Sequence, residues 1–178
     1  MATKPEPKHN VVEREKTPLI LGLDPGYGRL GYGLIEDRKG NLSAITYGCF
    51  ETPKTEDHGS RLLMIHDWLE NFLGEWRPAV VGIETLFFSK NVKTALAVGE
   101  ARGVLLVTAA KCEIPTAELS PQEVKLAVTG YGKADKKQIQ AMTAKLLKLP
   151  KPPKPDDAAD ALALAIALAG KRSFFSKF

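Results

Sequence analysis

Five acidic side chains stand where the surrounding residues argue against a carboxylate. Asp24 follows the apolar run Leu19–Leu23 and precedes the turn dipeptide Pro25-Gly26, and Glu84 ends the apolar stretch "AVVGIE". Asp156, Asp157 and Asp160 fall in the first turn of "PDDAADALALAIALAG", whose body from Ala161 to Ala169 has no polar residue. A helix apolar all round is a buried helix, and grouped carboxylates resist desolvation and repel one another. Singly, each acid has an ordinary explanation. Asp24 suits an Asx-turn, Glu84 a strand end, and the last three suit a cap and the helix dipole at about 0.3–1 kcal/mol each. One cap accounts for Asp156 but not for Asp157 and Asp160, which at a spacing of three share a helix face. Four carboxylates in one low-dielectric pocket call for a cation. Oxygen-only donors favour Mg²⁺ or Mn²⁺ over zinc, and none of His9, His58 and His66 is placed as a ligand. Two such ions roughly 3.5–4 Å apart serve phosphodiester hydrolysis.

The elements that position these acids can be read from the pattern. Leu19–Leu23 reads as a short strand, followed by "LGYGLIED" and "LSAITYGCFET" with the turn signal Gly40-Asn41 between them, which predicts an antiparallel meander. In "SRLLMIHDWLENFLGEW", Leu62, Ile65, Leu69, Phe72 and Trp76 recur at helical steps. "AVVGIE" is a buried strand reached through that helix, so it should lie parallel to a neighbour. If that neighbour is the first strand, Asp24 and Glu84 stand side by side at the carboxyl ends, about 4.8 Å apart, in the crevice where open sheets carry their chemistry. A helix from Asn91 to Ala110 contains Gly99-x-x-x-Gly103, a spacing that admits another backbone, either the sheet or a second subunit. A short strand "IPTAEL" comes next. Ser120, Pro121 and Glu123 then open a helix with a capping box. A helix from Lys136 to Leu147, the stiff linker "LPKPPKP" and the apolar terminal helix complete the chain. The expected fold is α/β, a five-stranded mixed sheet flanked by helices.

Size and charge bound the rest. The 178 residues, 44% hydrophobic, suit one domain. It is expected to span 18–170, between a flexible N-terminal arm (1–17) and a basic tail (171–178). No apolar run reaches the roughly 18–20 residues of a membrane span, and the N-terminus lacks the apolar core of a secretory signal. Cys49 and Cys112 form no metal or redox motif, so a cytoplasmic, reduced protein is expected. Residues 1–84 hold ten Lys/Arg against thirteen Asp/Glu, and 85–178 hold fifteen against eight. A basic C-terminal half suits a polyanion, although a solvated lysine-rich surface is the plain alternative.

"LGLDPG", "GIETLFFSKN", "GEARG", "VK…GYGKADK" and "DDAADALALAIA" occur in the order and spacing of RuvC, and the chain resembles that family of Holliday-junction resolvases from about Leu19 to Gly170. The resemblance implies a ribonuclease H-like fold, a homodimer, and paired nicking of two like-polarity strands in four-way junction DNA, dependent on Mg²⁺ with two ions per site and Mn²⁺ able to substitute. Asp24, Glu84, Asp157 and Asp160 fall on the family's metal-binding acids, while Asp156 departs from its most familiar pattern. Phe87 falls on the base-stacking aromatic, with Phe88 beside it. Lys125 and Lys136 fall on lysines near the scissile phosphate, and Lys90, Lys93 and Lys133 are further phosphate-contact candidates. The Gly99–Gly103 helix falls where subunits pair. Family membership also implies a branch-migration helicase as partner. Two other readings compete. "LGLDPGYGRLGYGL" also resembles the phosphate-binding hairpin of actin-like and sugar-kinase phosphotransferases, which need a second such domain. A junction-binding protein without catalysis would keep the fold but not all four acids.

Overall fold

A computed structural model describes residues 17–26, 28–85 and 92–171, with the side chains of 92–94 left out. Phe87, Phe88, Lys90 and the Lys93 side chain lie outside the described residues, as do nearly all of the arm and tail. The meander is β1 (Leu19–Asp24), β2 (Arg29–Arg38) and β3 (Asn41–Glu51). Then come α1 (His58–Trp76), β4 (Val80–Glu84), α2 (Val92–Lys111) and β5 (Thr116–Leu119), followed by α3 (Pro121–Thr129), α4 (Lys136–Leu146) and α5 (Asp156–Ala169). The five strands form one sheet in the order β3-β2-β1-β4-β5. β1 is antiparallel to β2 and parallel to β4, as the helix crossover requires.

Strand alternation divides the core in two. Leu21 and Leu23 of β1, with Val81 and Ile83 of β4, pack under α1 and α2. Ile20 and Val80 face the opposite side, where α3, α4 and α5 lie. The same parity sends Asp24 and Glu84, four residues beyond Ile20 and Val80, to the α5 side. α5 is buried from Ala158 to Ala169 apart from Asp160, as an all-apolar helix must be. It reaches the sheet because glycines face it. A Cβ at Gly22 would collide with the Ala161 carbonyl, and one at Gly31 with the Asp157 carbonyl.

Three expectations need adjusting. Asp156 does not cap α5: Pro155 is the N-cap residue and makes no side-chain cap bond. The Asp156 carboxylate is drawn outward, accepting bonds from Lys154 Nζ at 3.0 Å and Gln140 Nε2 at 3.1 Å. α2 ends one residue later than expected, at Lys111. The α1 helix starts earlier, at His58, because Asp57 supplies its cap by accepting from the Ser60 amide at 3.1 Å. The capping box of Ser120 and Glu123 forms as expected.

Candidate active site

β1 and β4 run in register with Leu23 beside Ile83, so Asp24 and Glu84 leave adjacent strand tips together. α5 crosses those tips with its N-terminal turn and adds Asp160. These three acids line one cavity of about 260 Å³ together with Lys125 of α3 and Lys136, the first residue of α4. Val124, Ile139, Ala163 and Leu164 form the apolar part of its wall. The cavity thus sets carboxylates against a low-dielectric surface with two ammonium groups at the rim.

The electrostatics register that crowding. Burial pushes the Asp24 carboxyl up to about 7, and repulsion from Glu84, Asp160 and Asp157 adds to it while Lys136 opposes. Glu84 is raised by burial and then by Asp160, against Lys125. Asp160 is raised by burial, although Lys136 donates to its Oδ2 at 3.1 Å. Three neighbouring acids held above their ordinary range mark a site short of positive charge.

Asp157 behaves differently. A spacing of three residues is about 300° around a helix, which leaves the two aspartates about 60° apart. That divergence matters here: Asp160 enters the cavity and Asp157 does not line it. Its Oδ2 instead accepts from Arg29 Nε at 2.9 Å and Nη2 at 2.7 Å. Among the described residues, no three acidic, histidine or cysteine side chains stand ready as an ion cage. The donor chemistry still fits a hard divalent cation, since every candidate ligand is a carboxylate oxygen and two of them, Asp24 and Glu84, have no ion pair among the described residues. His66 is engaged elsewhere, its Nδ1 being 2.7 Å from Thr108 Oγ1.

Lys133 is exposed on the turn between α3 and α4 and does not line the cavity. Gly99 and Gly103 lie on α2, which packs on the opposite face of the sheet from α5, and a Cβ at Gly103 would meet nothing within 4 Å. Sequence reasoning did not find Arg29. Its partner is 128 positions away, and no local pattern marks a strand-opening arginine as the contact of a helix at the other end of the chain.

A mixed five-stranded sheet in this order, with carboxylates at the tips of β1 and β4 and at the mouth of a buried terminal helix, defines a ribonuclease H-like nuclease. The family description "crossover junction endodeoxyribonuclease RuvC" matches residues 20–168, and the chain belongs to that family. The RuvC of Desulfitobacterium hafniense is 50% identical over 148 residues, covering 83% of this chain and 90% of the relative. That of Thermosipho melanesiensis is 49% identical over 155 residues, 87% and 99% of the two chains. Among solved structures, T. thermophilus RuvC in complex with a Holliday junction substrate superposes with a TM-score of 0.81 at 30% identity, over 90% of this chain and 95% of that one.

Proposed function

We propose that this chain resolves four-way DNA junctions, acting as a homodimer that nicks two strands of like polarity, with Asp24, Glu84, Asp157 and Asp160 holding two Mg²⁺ ions that Mn²⁺ can replace. The observation that carries this reading is the single cavity that gathers Asp24, Glu84, Asp160, Lys125 and Lys136 from β1, β4, α5, α3 and α4. Bound divalent ions would supply Lewis-acid polarisation of the phosphate and offset the charge of the acids. The chain's own groups do the rest. Lys125 and Lys136 attract the phosphate and counter charge that grows on its oxygens during cleavage. The apolar wall of Val124, Ile139 and Leu164 excludes bulk water and strengthens those interactions.

Phe87 and Phe88 come three and four residues after Glu84 in the sequence and would stack on bases beside the cleaved strand. Lys90, Lys93 and Lys133 would contact flanking phosphates. Pairing of two copies through α2 near Gly99 and Gly103 is supported by Leu63, Leu96 and Val107 of α1 and α2, which are 58%, 64% and 61% exposed. Two sites related by a twofold axis suit a twofold-symmetric junction. No helix among the described residues is long and apolar enough to cross a membrane, and a cytoplasmic protein working with a branch-migration helicase fits the family.

The test is a synthetic four-way junction set against a linear duplex of the same sequence, with and without Mg²⁺. The wild-type chain should cut only the junction and only with metal, and Asp24→Asn should bind it without cutting. Cleavage by Asp24→Asn at the wild-type rate would overturn the assignment.

A further inference from the structure

We infer that Arg29 is a built-in stand-in cation: it holds Asp157 away from the metal site, hands it over when a divalent ion enters, and then rests on Glu51. The inference rests on the reading of the acid cluster as a metal site. Arg29 opens β2, directly opposite Glu51 at the end of β3 in the strand register. Its guanidinium is divided between two carboxylates, with Nε and Nη2 on Asp157 Oδ2 at 2.9 and 2.7 Å and Nη1 on Glu51 Oε1 at 3.1 Å. A planar fork shared in this way can give up one carboxylate without losing all partners. Arg29 also has room to move, since it and Glu51 line an open cavity of about 800 Å³ bordered by Gly28 and Pro53.

The cost of releasing Asp157 is small. The Arg29 and Asp157 side chains are 51% and 32% exposed, so their attraction is screened by water. A divalent ion carries twice the charge of the guanidinium and faces Asp24, Glu84 and Asp160 as well, so it is the stronger competitor for Asp157. Gly31 lets the Asp157 carbonyl press against β2, so the handover is a side-chain movement on a packed backbone. Arg29 therefore acts as a positioning residue that sets how much free metal the site needs before all four acids engage.

The test is Mn²⁺ binding to the full, metal-stripped chain, read from the loss of the free-Mn²⁺ electron paramagnetic resonance signal without DNA. Arg29→Gln should bind Mn²⁺ about two- to fivefold more tightly than wild type, the range expected for removing a partly exposed ion pair. Arg29→Lys, which keeps the charge but loses the fork, should fall between them. Glu51→Gln should bind more weakly, because the released arginine has lost its resting partner. In an Asp157→Asn background the gain from Arg29→Gln should vanish. Equal or weaker binding by Arg29→Gln, while Asp24→Asn abolishes binding, would overturn the inference alone. No Mn²⁺ binding by the wild-type chain, or binding unaffected by Asp24→Asn, would overturn the metal site beneath it.

Discussion

Replacing Asp24 with asparagine should make the metal-free protein more stable while disabling the proposed metal site. Most substitutions of half-buried residues destabilise, so the sign is diagnostic. The Asp24 carboxyl is raised from 3.8 to about 7 by burial first and by Glu84, Asp160 and Asp157 next. A group whose folded pKa lies above its unfolded one favours folding at low pH, and that contribution is lost as the pH rises through the folded value. Above about pH 7 the folded wild type carries a buried anion that the unfolded chain carries in water. A shift of about three units at ~1.4 kcal/mol per unit makes that difference on the order of 4 kcal/mol. Imperfect packing and hydrogen bonding of the buried amide bring the expected gain to about 2–4 kcal/mol. The assay is urea denaturation of both proteins in EDTA, from about pH 8 down to about pH 4. The variant's advantage should be full at the alkaline end, narrow steadily below about pH 7 and nearly close by pH 4, where the folded carboxyl is protonated and the unfolded one is becoming so. Adding Mg²⁺ should stabilise the wild type and leave the variant unmoved. A variant less stable than wild type at pH 8, or a gap that does not change with pH, would refute the claim that these acids are crowded without countercharge.

Lys136 lowers the Asp24 and Asp160 pKa values, so Lys136→Met should raise both and move the acidic limb of the cleavage pH profile upward. A limb that stays in place while the rate falls would restrict Lys136 to phosphate contact. Gly31→Ala should cost about 1–3 kcal/mol by overpacking against the Asp157 carbonyl, whereas Gly74→Ala in α1, with open space around its Cβ, should gain up to about 1 kcal/mol of helix propensity. Thermal denaturation of the two variants decides, and equal effects would refute the close approach of α5 to β2.

Strand parity explains why so much of the site could be read early. Once Leu19–Leu23 and "AVVGIE" are recognised as neighbouring parallel strands, their tips must lie together, and the two-residue period sends Asp24 and Glu84 to one side. The lack of any polar residue in Ala161–Ala169 likewise leaves α5 nowhere to go but the core, with its acids at the mouth. What could not be read depends on side-chain competition across long separations. Asp156 looks like a cap in isolation, yet Lys154 and Gln140 take its carboxylate. Asp157 and Asp160 look like a matched pair until Arg29 claims one and Lys136 the other. Periodicity locates a helix face to within tens of degrees, and the nearest cation decides which cavity a carboxylate enters.

That competition also bears on how the cluster tolerates its own charge. Arg29 sits on Asp157, Lys136 on Asp160 and Asp156, and Lys154 on Asp156, so every acid in the first turn of α5 has a cationic partner from the chain itself. Asp24 and Glu84 have no ion pair among the described residues, and Asp24 is the acid whose pKa reaches about 7. The uncompensated charge is therefore concentrated at the strand tips, on the rigid sheet, while the compensated charge lies on the helix turn facing movable lysine and arginine side chains. On the proposed reading, an entering cation would meet Asp24 and Glu84 first and draw in Asp157 and Asp160 by displacing monovalent partners that are largely exposed to water. A site built in this way would complete itself only with an ion of high charge density, which favours small divalent cations over monovalent ones.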